Sequence, residues 1–194
     1  MHPVILTGRV VSLREFREDD AASSLSVVGD DRVTRWLSFD TRSQTEAAEM
    51  IRGAMARAQL EPRTEYYLAI EHESAFAGFV RLGLDGVKAA KLGYAVRAEL
   101  WGRGLATDAA RTIIEFGFTR LGLHRISAAI GPDNAASVAV AKRLGMAYEG
   151  RIRHHVFTGG AWRDSLLYSV LEPEWAQTQF APASGAVPDR PRQR

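Results

Sequence analysis

Residues 100–120 read LWGRGLATDAARTIIEFGFTR, and this stretch decides the fold. Two glycines, Gly102 and Gly104, precede a run in which apolar residues recur at steps of three and four. This spacing predicts an amphipathic helix. Its apolar face carries Leu105, Ala109, Ile113 and Phe116, and its polar face, which we expect to meet solvent, carries Asp108, Arg111 and Glu115.

The glycine loop predicts an anion site at the start of this helix. Glycine reaches backbone torsions that residues with a Cβ avoid, so the chain there can approach a ligand closely. The unpaired N–H groups of the first helical turn point back into the loop, and the helix dipole favours negative charge. Arg103 adds a cationic side chain beside them. We therefore expect a phosphate group to bind there.

A plain turn before a surface helix is the simplest alternative for this loop, because short glycine motifs often occur by chance. A dinucleotide fingerprint needs a further small residue and a downstream acidic residue, and Thr107 and Leu123 stand near those positions. A Walker loop needs Gly-Lys-Ser/Thr, which the sequence does not contain. The expected phosphate is therefore bound in neither of these last two ways.

The composition is that of a globular protein. Of the 194 residues, 46% are hydrophobic and 9% aromatic, which fits one domain with a sizeable core. The sequence has no cysteine, which excludes disulfides, cysteine-ligated zinc and a cysteine nucleophile. No apolar run approaches the roughly 18 residues of a membrane span, so we expect a cytoplasmic protein without membrane contact.

The charge pattern gives little support to nucleic-acid binding. The formal net charge is +2, and residues 181–194 supply it through three arginines and one aspartate. The remainder has no basic stripe with interleaved aromatic residues. We expect residues 1–180 to form a single domain and residues 181–194 to form a flexible tail rich in proline and arginine.

Periodicity along the chain alternates between that of helices and that of strands. Helices are expected from Asp19 or Asp20 to about Gly29, after Thr41 or Ser43 through Ala58, from Leu105 to near Gly122, and at Asn134–Leu144. Strands are expected at Thr7–Phe16, Tyr66–Glu71, Phe76–Leu82, Lys91–Arg97, Arg125–Ile130, Ala147–Phe157 and Trp162–Leu171. This order predicts a mixed α/β (α+β) domain whose mostly antiparallel central sheet has about seven strands flanked by about four helices.

A second motif, Asp-Asn-Ala-Ala-Ser at residues 133–137, stands where a strand meets a helix. Asn134 fits a helix N-cap, whose side chain accepts a hydrogen bond from an otherwise unpaired N–H, and Ser137 fits a polar position of the first turn. A purely structural role is therefore open for both residues. The roles of Trp36 and Phe39 are also open, because each residue either packs under the helices or lines a substrate pocket.

Seven segments together resemble the GNAT superfamily of acetyl-CoA-dependent N-acetyltransferases, in the branch of the ribosomal-protein N-terminal (alanine/serine) acetyltransferases. They are LREFREDDA at 13–21, LGYAV at 92–96, WGRGLATDA at 101–109, HRISA at 124–128, DNAASVAVAKRLGM at 133–146, YEGRIR at 148–153 and GGAWRDSLLYSVL at 159–171. The family's loop pattern begins with glutamine or arginine, where this chain has Trp101, whereas Gly104 and Ala106 fit it. The resemblance implies the GNAT fold.

The resemblance also implies acetyl-CoA as co-substrate and no metal. The coenzyme diphosphate would lie on the backbone of Arg103, Gly104, Leu105, Ala106 and Thr107, next to Gly102. The pantetheine arm would follow the unpaired strand edge at Tyr94, Ala95, Val96 and Arg97, with the acetyl oxygen at the N–H of Ala95 or Val96. Asn134 would hydrogen-bond the pantetheine arm, which Ser137 would border, and Lys142 or Arg143 would reach a nucleotide phosphate.

The expected chemistry is direct attack of an amine on the thioester, because the sequence has neither a cysteine nor a G-x-S-x-G nucleophile motif. Many relatives protonate the leaving thiolate with a tyrosine seven residues after the asparagine, where this chain has Ala141. Ser137 is the nearest hydroxyl of the motif and is our candidate catalytic acid, with a water molecule as the alternative.

The general base stays open. Some relatives carry an acidic residue on the neighbouring strands, where this chain has Ser127, Ala129 and Lys91, and Glu15, Glu71 or Asp85 could act through water. An α-amine with a pKa of about 8 is partly neutral at pH 7, whereas neutralising a lysine with a pKa of about 10.4 costs roughly 4.6 kcal/mol. A site without an obvious base therefore suits an α-amine.

Three functions follow from these expectations. The first is acetylation of a protein N-terminus, the second is the same chemistry on a small amine such as an antibiotic or polyamine, and the third is a non-catalytic acyl-CoA-binding regulator. A homodimer is expected from the resemblance. The adjacent His154 and His155 would point to opposite faces of a strand and lack metal-ligand spacing, and His155 either borders the acceptor pocket or lies on the surface.

Overall fold

A mixed sheet of eight strands runs through residues 2–180, the part of the chain that the computed structural model describes. Its order is β1-β2-β3-β4-β5-β6-β8-β7, and every neighbouring pair is antiparallel except β5 and β6. The strands are β1 (Ile5–Thr7), β2 (Ser12–Arg14), β3 (Glu65–His72), β4 (Ala75–Leu84), β5 (Ala89–Val96), β6 (Arg125–Ile130), β7 (Ala147–Thr158) and β8 (Ala161–Leu171).

Six helices accompany this sheet within residues 2–180, and a short 3-10 turn (Ala98–Leu100) follows β5. The helices are α1 (Asp20–Val28), α2 (Asp31–Thr34), α3 (Gln44–Ala58), α4 (Leu105–Thr119), α5 (Ala135–Arg143) and α6 (Glu172–Phe180). The mixed, mostly antiparallel α/β architecture is confirmed. The sheet has one strand more than the seven expected, and the described residues hold more helices than the four expected.

The sheet is buried on both faces at its centre. Successive side chains of a strand point to opposite faces, so β3 contributes Tyr66 and Leu68 to the core under α4, and Tyr67 and Ala69 to a second core under α1 and α3. The apolar stripe of α4 covers the first core with fully buried residues such as Ile113. Helices on both faces thus hold the central strands rigid.

The sheet splits between β5 and β6. These two strands pair in parallel only over Ala89–Lys91 and Arg125–Ser127. Beyond Lys91 the strands separate, while β5 stays paired with β4 along its other edge as far as Val96. The split leaves backbone hydrogen-bonding groups of β5 without a strand neighbour, as the resemblance implies.

The predicted opening strand Thr7–Phe16 is wrong as a single element. The structure has a hairpin there, with β1 and β2 paired from Ile5↔Arg14 to Thr7↔Ser12. Val11 lies just before the second strand and Leu13 within it, and the chain turns at Gly8, whose N–H donates to the Val11 carbonyl at 2.8 Å.

Helices α2 and α6 have no counterpart in the sequence prediction. Helix α2 has only four residues, too few for a periodic apolar pattern, and the Asp30 side chain caps it by accepting from the Arg32 N–H. Helix α6 contributes the buried Trp175 to the core under α4. The predicted tail, residues 181–194, lies outside the described residues. Within residues 2–180 no helix is long and apolar enough to span a membrane.

Candidate functional site

A cavity of about 880 Å³ opens at the split, which is within the usual size of a small-molecule site. Five parts of the chain line it: the end of β5, the glycine loop with the first two turns of α4, helix α5 with the residues just before it, α2 with the segment that follows it, and the β1–β2 turn. The β1–β2 turn closes one side with Arg9 and Val10. The cavity therefore lies where the splitting strands and two helix starts converge.

The free edge of β5 faces this cavity with alternating backbone groups. The Arg97 N–H donates to the Ala77 carbonyl at 2.9 Å, so odd-numbered residues of β5 point their N–H and C=O groups at β4. The N–H groups of Tyr94 and Val96 therefore point into the split, and that of Ala95 does not. The Val96 carbonyl already accepts the Trp101 indole N–H at 2.8 Å.

The glycine loop ends in a helix start without a side-chain cap. Gly102 and Gly104 have φ of +79° and +80°, a region that residues with a Cβ rarely adopt, and a Cβ at either would meet no protein atom within 4 Å. Gly104 is the N-cap of α4, so no side chain satisfies the N–H groups of the first turn. These donors and the empty space beside them form a cradle suited to an anion.

Asn134 caps α5 as the structural interpretation predicted. Its Oδ1 accepts from the Ser137 N–H at 3.0 Å, and its amide NH₂ group has no hydrogen-bond partner among residues 2–180. The Tyr94 hydroxyl donates to the Ser137 carbonyl at 3.5 Å, and burial raises the pKa of Tyr94. The Ser137 hydroxyl has no partner within the described chain, and all three residues line the cavity.

Most of the predicted cofactor residues line this one cavity. They are Tyr94, Ala95, Val96, Gly102, Arg103, Gly104, Leu105, Ala106, Thr107, Asn134 and Ser137. Arg97 lies outside the lining, where its Nη1 donates to the Phe76 carbonyl at 3.4 Å. On α5 the lining includes Arg143 and leaves out the exposed Lys142.

Asp108 corrects the predicted polar face of α4. It is buried, with 7% of its surface exposed, and its Oδ2 accepts from the N–H groups of Val10 and Val11 at 2.8 and 3.1 Å. The helical pattern placed Asp108 on the face opposite the sheet core correctly, but the β1–β2 turn covers that face. Because the hairpin was predicted as one straight strand, nothing in the sequence indicated this cover.

The segment after α2 also lines the cavity. Arg35, Trp36 and Leu37 line it, whereas Phe39 packs against the core under α1 and α3. The β7–β8 hairpin holds this segment, because Arg163 donates to the carbonyl oxygens of Arg35 and Leu37. Trp36 is thus placed as a pocket residue, and Arg35 was not predicted.

The lining is strongly cationic. Five arginines contribute to it, and none of them lies within 4 Å of a carboxylate of the described residues: Arg9, Arg35, Arg103, Arg111 and Arg143. The lining also includes two carboxylates. One is Asp108, which accepts the N–H groups of Val10 and Val11, and the other is Asp133. An uncompensated cationic cavity of this kind suits a polyanionic ligand.

The three acidic residues that were candidates for the general base form ion pairs outside the cavity. Glu15 pairs with Arg63 at 2.7 Å, Glu71 pairs with Arg14 and Asp85 pairs with Lys91, each at 2.8 Å, and none lines the cavity. His155 also lies outside the lining, with its Nδ1 3.0 Å from the Ser165 hydroxyl. Residues 2–180 contain no group of three or more His, Asp or Glu side chains that could hold a metal ion.

Comparisons with known proteins agree with this geometry. A family model for the acetyltransferase (GNAT) domain matches residues 11–147. The chain is 27% identical over 170 residues to the putative ribosomal N-acetyltransferase YdaF of Bacillus subtilis strain 168, a match that covers 85% of this chain and 92% of the relative. It is 25% identical over 125 residues to the spermidine N(1)-acetyltransferase of Escherichia coli strain K12, covering 63% of this chain and 67% of the relative.

Solved structures share the fold over nearly their whole length. Mycobacterium smegmatis RimJ, solved in complex with CoA-disulfide, superposes with a TM-score of 0.79 at 26% identity, covering 92% of this chain and 96% of that protein. The family model spans most of the described residues, and these relatives carry acetyltransferase names. The chain therefore belongs to the GNAT family of N-acetyltransferases.

Proposed function

We propose that the protein moves the acetyl group of acetyl-CoA directly to a primary amine, and that a protein N-terminal α-amine is the preferred acceptor. The observation that carries the first part is the coincidence of three features in one cavity: the free edge of β5, the uncapped start of α4 and the unpaired arginines. Acetyl-CoA would supply an activated acetyl group as a thioester, carried on a diphosphate-containing anion.

The described residues fit this co-substrate. The backbone of Arg103–Thr107 would hold the diphosphate, because its N–H groups face empty space that a Cβ at Gly104 would fill. The edge of β5 would pair with the amide groups of the pantetheine arm, to which the free amide of Asn134 also donates. The resemblance implied that Lys142 or Arg143 reaches a nucleotide phosphate. We assign this contact to Arg143, because only Arg143 lines the cavity.

The chain offers donors for both charges that the reaction creates. As the amine nitrogen bonds to the acyl carbon and the carbon–sulfur bond breaks, the carbonyl oxygen gains negative charge, and the Val96 N–H points into the split to receive it. The departing sulfur takes a proton, for which the unpartnered Ser137 hydroxyl is our candidate donor, and Ser137 takes a proton from solvent in the same step. The proton lost by the amine passes to solvent, because the candidate bases lie outside the cavity.

The cationic lining favours an α-amine over a polyamine as acceptor. A polyamine carries several positive charges, and near Trp36 the cavity presents Arg35 without a carboxylate from residues 2–180 in ion-pair contact. An α-amine is partly neutral at pH 7 and needs no strong base. An acceptor on a ribosomal or other cytosolic protein would also place the enzyme in the cytoplasm, where we propose that it acts as a homodimer.

Acetylation of a defined acceptor panel tests this function. The purified protein is incubated with isotopically labelled acetyl-CoA, peptides with free N-termini, the same peptides with blocked N-termini and a free lysine, spermidine and amine antibiotics. Mass spectrometry is expected to show label only on free N-termini. Label on spermidine or an antibiotic would assign a small-molecule acceptor, and tight coenzyme binding without any labelled acceptor would indicate a regulator.

A further inference from the structure

Two hydrogen bonds hold the β1–β2 turn against the first turn of α4, beside the glycine loop. One carboxylate oxygen of Asp108 accepts the backbone N–H groups of both Val10 and Val11, nearly a hundred residues away in sequence. The Val10 donor is 2.8 Å and the Val11 donor 3.1 Å from that oxygen. The turn therefore cannot leave α4 without breaking two charge-assisted hydrogen bonds.

Gly8 makes this close contact possible. A Cβ at Gly8 would lie 2.6 Å from Asp108 Oδ2 and 2.8 Å from Thr112 Oγ1, both too short for real contacts. Any larger residue would require the turn or the Asp108 and Thr112 side chains to shift. Gly8 of the hairpin and Asp108 of α4 thus form the contact between these two elements.

The consequence of this contact is the position of Arg9. Arg9 follows Gly8, is exposed and lines the cavity together with Val10, and no carboxylate of the described residues lies within ion-pair distance of it. It stands on the side of the cavity that holds Asp108, because the next residue, Val10, donates its N–H to Asp108 Oδ2. Asp108 would repel a bound phosphate, but its Oδ2 is engaged by the two N–H donors.

We propose that Arg9 binds a phosphate group of the coenzyme, and that Asp108 acts as a positioning residue by holding the β1–β2 turn over the start of α4. This inference rests on the proposed function, because it assumes that coenzyme A occupies the cavity. Coenzyme A carries a diphosphate and a 3′-phosphate, and Arg103, Arg111 and Arg143 are further arginines of the same lining. Arg35 remains for the acceptor end.

Calorimetric binding of coenzyme A and of dephospho-coenzyme A, which lacks the 3′-phosphate, tests the role of Arg9. Arg9→Ala is expected to weaken coenzyme A binding about tenfold, as for loss of a hydrogen bond between charged groups. Weakening for coenzyme A alone assigns Arg9 to the 3′-phosphate, and equal weakening for both ligands assigns it to the diphosphate. Unchanged affinity for both would overturn the proposal. Arg17→Ala, at an exposed arginine outside the lining, is the matched control.

A double-mutant comparison tests the positioning role of Asp108. In an Asp108→Ala background the turn loses its anchor, so Arg9→Ala is expected to have less than a twofold further effect. Additive effects would overturn the positioning role. Asp108→Asn keeps an acceptor oxygen and is expected to retain most of the Arg9 effect, which provides a test if the alanine variant does not fold. Failure of wild-type protein to bind coenzyme A would instead refute the proposed function.

Discussion

Gly104 combines a backbone conformation that favours glycine with open space for a ligand beside it. Its φ of +80° is needed for the chain to enter α4, and the space on its Cβ side is empty of protein atoms. The glycine pair, Asn134 and Ser137 could all be identified from the sequence because each carries a local motif. Arg9 and Arg35 could not, because only the tertiary fold brings them to the cavity.

Gly104→Val is expected to abolish coenzyme binding by filling the cradle, with the fold retained. The strained φ costs roughly 1–2 kcal/mol, which a domain of this size tolerates. Gly86→Val is the matched control, because Gly86 has φ of +74°, equally open space and no part in the cavity lining. Calorimetry should show affinity lost in the first variant and kept in the second. Unchanged affinity in Gly104→Val would refute the diphosphate assignment.

Ser137→Ala is expected to lower kcat by about 10- to 100-fold, toward the lower part of the range for a proton donor, because a thiolate leaves readily. Coenzyme affinity should change little, since the N–H that Asn134 caps is retained and the hydroxyl has no protein partner within residues 2–180. Steady-state kinetics and calorimetry separate the two effects. Wild-type turnover would remove Ser137 from the mechanism and leave a water molecule as the proton donor.

Strand β5 is the element on which the site depends. The alternation of residues predicted this strand and the family resemblance implied its free edge, but neither indicated its close packing on β4. Gly78 of β4 faces Val96, and a Cβ there would lie 2.1 Å from the Ala95 carbonyl oxygen. The hairpin at Gly8 was missed for a related reason: in both places a glycine permits backbone contact between elements, and alternation of apolar residues carries no information about that contact.

Gly78→Ala is expected to lower the free energy of unfolding by about 2 kcal/mol or more, since the added methyl group must displace the backbone of β5. Acetylation should fall with it, because the displaced Val96 N–H is the proposed oxyanion donor. Gly93→Ala, on β5 itself, adds a methyl group into open space and should change stability by less than about 1 kcal/mol. Denaturant unfolding of both variants checks this difference, and equal stabilities would show that the close packing is unimportant.

At the scale of the whole molecule, the order of elements was enough to predict a mixed antiparallel fold, because long strands and the amphipathic α4 carry clear periodicity. The four-residue α2 was too short for a periodic apolar pattern, and α6 was not predicted either. Trp36 was among the candidate pocket residues, but Arg35 was missed, because the segment after α2 and the β7–β8 hairpin meet only in three dimensions.

The pH dependence of kcat/KM is expected to follow the ionisation of the acceptor amine and not that of a protein side chain. None of the three acids proposed as general bases lines the cavity, so kcat/KM should rise with pH until the acceptor amine is neutral, near pH 8 for a peptide α-amine and near pH 10 for a lysine. Burial raises the pKa of Tyr94, which disfavours ionisation of this hydroxyl. Profiles of both acceptors that rise at one common pH would instead reveal a general base in the protein.

A crystal structure of the protein with acetyl-CoA tests the central claim most directly. We predict electron density for the diphosphate at the backbone N–H groups of residues 103–107, and density for the thioester in the split between β5 and β6 beside the Val96 N–H. Density for the coenzyme at another surface, or a split closed by the protein's own side chains, would contradict the account.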